Sequence, residues 1–175
     1  MKTGIEEKII MLCEMFTEKC NQLFSTLGDN KIMCLATSQS DCVTARSMSV
    51  IIYNGRFYFQ TDTKFIKYKQ ICSNPHVALC VNNIQIEGLC KEMGSPLLPQ
   101  NFFFADLYRQ HFRGSFEKYS ALKSEVLFEV DPVKISIWNY DDKKPYQEFF
   151  DFSEQSYKKE YYKLTSEQYL PKASL

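Results

Sequence analysis

Asn54-Gly55 lies between two runs rich in β-branched and aromatic residues, 43–53 and 56–61. An Asn-Gly pair accepts positive φ at both turn positions. It therefore closes two-residue hairpins whose twist matches the strands on either side. That commits the middle of the chain to antiparallel pairing, and the rest reads in similarly short pieces. Residues 32–37 form a strand pattern, followed by a polar turn at 38–41. Residues 76–82 and 84–91 read as two more strands, 125–130 and 133–140 as a pair broken by Asp131-Pro132, and 146–152 as a last one. About seven short strands with tight connections favour antiparallel pairing and a mainly β fold, a small β-barrel with peripheral helices.

The helices are fewer. Ile5, Ile9, Leu12, Phe16, Leu23 and Leu27 form one apolar stripe at helical spacing, with Gly28 as a stop. Residues 64–72 fit a short helix ended by Asn74-Pro75. Residues 101–112 fit another after the loop marked by Pro96 and Pro99, with Phe102, Phe103, Leu107 and Tyr108 as apolar cover. No linker or repeat divides the chain of 175 residues. The expected organisation is a single domain. An N-terminal helix, 1–28, packs on a barrel, 29–152, which carries a helical insertion at about 97–123. A polar, Tyr-rich tail, 153–175, reads as a docking helix or a frayed end.

Charge and cysteine usage narrow the function classes. Lys plus Arg and Asp plus Glu both number 21. Zero net charge argues against a nucleic-acid binder that works through a broad basic face. No apolar run reaches the ~20 residues of a membrane span. The acidic N-terminal stretch is unlike a signal peptide, which points to the cytoplasm. The seven cysteines contain no C-x-x-C pair. Cys13 and Cys20 are roughly 10 Å apart along a helix, too far for a disulfide. With only His76 and His111 as imidazoles, no metal site is expected. The thiols read as reduced, buried small hydrophobes. Trp138 reads as a core or interface aromatic, and His76 as structural.

The residues that carry chemistry cluster after the first strand. Arg46 lies within strand 43–53, Thr61 ends the returning strand, and Lys64 and Lys67 open the next helix at i and i+3. A guanidinium fork, a hydroxyl and a helix N-terminus suit one small anion, a phosphate. The bland alternative is a solvated lysine face with Arg46 paired to Asp41 or Glu87. No nucleophilic triad is assignable, which fits a protein whose cofactor carries the reaction.

In order and spacing, these pieces resemble the flavin-binding core of the pyridoxamine 5′-phosphate oxidase-like family, the FMN-binding split barrel. They are Arg46, Asn54-Gly55, Thr61, Lys67 and the run Gln70-Ile71-Cys72-Ser73-Asn74-Pro75. Cys34-Leu35-Ala36-Thr37 resembles the first barrel strand. Residues 83–88 resemble the strand that approaches the flavin from a second subunit. The resemblance implies FMN as cofactor, with Arg46, Thr61 and Lys67 on its phosphate. Ser47, Met48, Ser49 and Gln60 would lie along the ring, and Asn83 would reach in from the partner. It implies a homodimer with the cofactor at the subunit interface, and a flavin-dependent oxidoreductase of a small molecule. Within the same fold the alternatives are a non-enzymatic flavin- or haem-binding module and a nitro-compound reductase. The chain departs from the oxidases in three places. Ile51 and Ile66 stand where they carry basic residues, with Lys64 as the compensating cation. The C-terminal LPKASL also replaces their substrate motif.

Overall fold

The computed structural model describes residues 4–162. Eight strands form one antiparallel sheet: β1 (Asn30–Gln39), β2 (Cys42–Tyr53), β3 (Arg56–Asp62), β4 (His76–Val81), β5 (Ile84–Glu92), β6 (Glu125–Asp141), β7 (Lys144–Asp151) and β8 (Ser156–Tyr161). Their spatial order is β3-β2-β1-β4-β5-β6-β7-β8. A further pairing of β3 with β6 closes the first six into a barrel. Four α-helices and one 3₁₀ turn (Pro99–Asn101) accompany them among the described residues: α1 (Gly4–Leu27), α2 (Ile66–Ser73), α3 (Phe102–His111) and α4 (Arg113–Tyr119).

The hairpin that the sequence predicts is present. Asn54 and Gly55 have φ of 49° and 74°, and Ile51, Ile52 and Tyr53 pair with Tyr58, Phe57 and Arg56. Inward residues alternate along each strand. Met33, Leu35, Val50, Ile52, Phe57, Phe59, Leu79, Ile86, Phe128 and Ile135 fill the barrel. A smaller cluster of Ile51, Tyr58, Leu127, Phe104 and Tyr108 fixes α3 to the outside of the barrel wall.

Five expectations are corrected. First, residues 125–141 are one strand rather than two. Pro132 offers no N–H, and a bulge absorbs it: Glu87 pairs with Lys134 and Gly88 with Pro132, leaving Val133 over. Second, the tail contains β8, paired to β7 from Ser156 to Tyr161. The remainder of that segment, 163–175, lies outside the described residues.

Third, α2 begins at Ile66, so Lys64 precedes it. The Asp62 carboxylate accepts the Lys64 N–H at 2.8 Å, and the Asp62 carbonyl accepts the Phe65 N–H at 3.1 Å. That turn uses up the residues expected as the first helical turn. Fourth, the α1 stripe buries Phe16, Leu23 and Leu27 but leaves Ile9 and Leu12 exposed. The packed part of the helix starts at Phe16, which meets Phe152 edge-on at 5.5 Å. Fifth, the cysteines are free, but none is fully buried. Cys34, Cys42, Cys72 and Cys80 are exposed. Cys34 and Cys80 face each other on the outward side of β1 and β4. Burial still pushes the Cys20 thiol up to about 11 and the Cys90 thiol up to about 12.

No described helix is long and apolar enough to cross a membrane. Among the described residues no group of His, Cys, Asp or Glu is placed to hold a metal ion.

Candidate functional site

Beyond Ile51, β2 and β3 part company. Their register stops at the Ile51–Tyr58 pair. Among the described strands, residues 42–50 of β2 pair only with β1, and residues 59–62 of β3 pair only with β6. The barrel wall is therefore split, and a cavity of about 380 Å³ opens along the split. That volume suits a drug-sized or cofactor-sized ligand. Ser47, Met48 and Ser49 line it from β2, and Gln60, Thr61 and Asp62 from β3. Phe65 and Lys67 come from the approach to α2 and its first turn. Tyr108, Ser115 and Tyr119 come from α3 and α4, and Glu125 from the start of β6.

The polar groups here are unevenly satisfied. Ser120 Oγ donates to Gln60 Oε1 at 2.8 Å, which leaves the Gln60 amide to hydrogen-bond Glu125. The Tyr108 hydroxyl bonds the Ser49 and Ser115 hydroxyls. Thr61 is 2% exposed, and its Oγ1 has no hydrogen-bond partner among the described residues. Buried polar atoms are normally paired, so an orphan on a cavity wall marks a place for a ligand atom.

Lys67 Nζ sits 4.4 Å from the centroid of the Phe65 ring. No ion pair engages it among the described residues. Burial, and then the nearby Arg46 guanidinium, hold Lys67 below its ordinary value. Glu125 is 5% exposed. Burial first, and then the Asp62 charge, push it up to about 7.

Arg46 lies behind this wall. Its guanidinium donates to the Leu35 carbonyl at 3.2 Å and to Thr37 Oγ1 at 2.7 Å, and it bonds Thr44 Oγ1 as well. Thr37 and Thr44 both donate to Gln70 Oε1 of α2, at 2.6 and 2.8 Å. This network ties α2 to the sheet. It involves neither Asp41 nor Glu87.

The structure thus gathers Ser47, Met48, Ser49, Gln60, Thr61 and Lys67 around one cavity, with Arg46 adjacent. Lys64 is exposed before α2 and is absent from the lining. Asn83 stands in the β4–β5 turn. Its amide donates to the Trp138 carbonyl at 2.6 Å, and it borders a different cavity, beside α1. Sequence reading missed Ser115, Tyr119 and Glu125, and singled out Tyr108 only as apolar cover or a lid over the barrel end. Glu125 opens an apolar strand, and the other three belong to an insertion with no motif of its own. Their place becomes visible only when the insertion folds over the split.

A closed six-stranded antiparallel barrel split between its second and third strands is a specific architecture. A pyridoxamine 5′-phosphate oxidase-related, FMN-binding protein from Nostoc punctiforme shares it, with a TM-score of 0.55 and 16% identity. The match covers 75% of this chain and 87% of that one. The fold is the FMN-binding split barrel. PhzG from Burkholderia lata, solved with tetrahydrophenazine-1-carboxylic acid, is also similar, with a TM-score of 0.55 and 14% identity over 89% of this chain and 92% of that one. The haem storage protein HutZ from Vibrio cholerae matches with a TM-score of 0.53 and 11% identity, over 58% and 81%. No family model and no curated protein matches this split barrel by sequence. The resemblance to pyridoxamine 5′-phosphate oxidase-like proteins holds at the level of the fold.

Proposed function

We propose that this chain is a homodimeric flavoprotein that holds FMN in the split between β2 and β3 and acts as a flavin-dependent oxidoreductase on a small molecule. The observation that carries the reading is the buried hydroxyl of Thr61, without a partner among the described residues, beside the ammonium of Lys67, which no ion pair engages among them, on the wall of a cofactor-sized cavity. Those two groups, backed by Arg46, would hold the phosphate. The β2 residues Ser47, Met48 and Ser49, whose far edge has no strand partner, would border the ring, with Gln60 opposite. Bound flavin supplies hydride or electron transfer, and the protein supplies position and shielding.

A second copy fits the outward faces of β2, β1 and β4. There Ala45, Ser47, Cys34, Ala36, Ala78 and Cys80 form a strip of small side chains that no described helix covers. In such a dimer Asn83 is the residue to test for a contact made across the interface.

Titrating the purified protein with FMN, followed by quenching of flavin fluorescence, tests the reading. Tight, stoichiometric binding is expected. Removing Lys67 and Arg46 together should weaken it by about 100-fold or more, since a hydrogen bond to a charged group contributes roughly 1.5–3 kcal/mol. A protein that takes up no FMN, or a double variant that binds it unchanged, would sink the proposal. Reduction of the bound flavin by NADH or NADPH, with turnover on an acceptor, separates an oxidoreductase from a flavin store.

A further inference from the structure

Glu125 is an unusual group to find beside a phosphate site. It opens β6 directly across the ladder from Asp62 and is buried against the cavity. Its surroundings compensate its charge only in part. From β3, the Gln60 amide bonds it and the Asp62 carboxylate repels it; from α2, Lys67 attracts it. Asp62 itself is anchored as an anion by Ser124 Oγ at 2.7 Å and by the Lys64 N–H. The remaining titratable groups on the cavity wall are the phenols of Tyr108 from α3 and Tyr119 from α4, and Arg46 stands behind Lys67. One half-buried lysine thus faces two carboxyls before any ligand arrives.

A phosphate ester adds about −1.5 to −2 charges near neutral pH. Seated at Thr61 and Lys67, it competes with Glu125 for the same cation, and like charges at short range favour the neutral acid. We infer that the phosphate-bearing ligand enters this pocket together with a proton, which Glu125 receives, so that phosphate affinity is set by the protonation of this one carboxyl. The inference rests on the flavin-phosphate reading above. Even without ligand, burial and Asp62 bring Glu125 up to about 7, so the effect falls in the physiological range. Below that value the ligand meets a neutral carboxyl. Above it a proton must be taken up, and affinity falls toward a limit of about tenfold per pH unit.

The test is FMN binding from about pH 6.5 to about pH 8.5, a window above the phosphate's second ionisation near 6. Riboflavin, which lacks the phosphate, is the control. The FMN Kd should rise by about tenfold or more across the window while that of riboflavin stays flat. Glu125→Gln, which mimics the neutral acid, should bind FMN tightly at both ends with no slope. Calorimetry of the unaltered protein near pH 7, in two buffers of different ionisation enthalpy, should show proton uptake with FMN. That measurement decides the matter even if the glutamine variant fails to fold. An FMN Kd independent of pH without proton uptake, or a glutamine variant that keeps the slope, overturns the inference and leaves the flavin site standing. No FMN binding at any pH overturns both.

Discussion

Thr61 and Glu125 make opposite statements about the split. The Thr61 hydroxyl is a buried donor and acceptor with nothing to bond among the described residues. In the ligand-free protein it costs stability, on the order of 1–3 kcal/mol for an unmade buried hydrogen bond. Replacing it with valine keeps the shape and removes the orphan. Thr61→Val should therefore leave the unliganded melting temperature unchanged or raised, while weakening FMN binding by about tenfold. Glu125 has its cost in the charge. Its folded value is raised, to about 7, above the ordinary 4.5. Its stabilising effect is therefore complete below about pH 4.5 and is lost as pH rises through about 7. Between those limits the apo protein should lose up to about 3 kcal/mol, and Glu125→Gln should remove the slope, read as melting temperature against pH. The residues proposed to hold the phosphate stand out in the sequence because Arg, Thr and Lys are the side chains that suit an anion. Glu125 does not, because a carboxylate at the head of an apolar strand looks like an ordinary solvated end until α4 and the loop after it cover it.

At the scale of the element, β6 is the organiser. It runs 17 residues, pairs with β3, β5 and β7, and carries Glu125 at one end and Trp138 near the other. Its passage over Pro132 depends on Gly88. A Cβ there would lie 2.6 Å from Val130 Cγ1 and 2.8 Å from the Asp131 carbonyl. Gly88→Ala should destabilise by about 1–3 kcal/mol, read from denaturant midpoints, because backbone cannot yield as a flexible side chain can. This element also shows where sequence reading ran short. Asp131-Pro132 carries the local signature of a break, and only the bulge at Val133, set against Glu87 and Gly88 of β5, lets the strand continue. The hairpin at Asn54-Gly55 was readable because its turn chemistry is local. The start of α2 was misplaced because the Asp62 turn depends on Ser124, a residue 62 positions away. The strand β8 was hidden in a charged, Tyr-rich stretch whose pairing is governed by β7 rather than by its own pattern.

For the whole molecule, the barrel is covered unevenly. α1 packs through Phe16 and Phe24 against Phe152 and Phe57, α2 is bonded to the sheet through Gln70, and α3 and α4 lie over the β3–β6 wall. The strip of small residues on β2, β1 and β4 is covered by no described helix. If a second copy occupies it, Ala78→Arg should shift the protein from dimer to monomer in sedimentation while the circular dichroism stays unchanged. A bulky cation has room on a free surface and none within a close interface. The split itself has a consequence for handling. Among the described strands, half of β2 has no partner for one row of backbone donors and acceptors, the arrangement by which sheets recruit foreign strands and begin to aggregate. A ligand lying along that row does more than equip the protein for chemistry. It would act as a stopper, so the ligand-free protein should aggregate more readily than the liganded one.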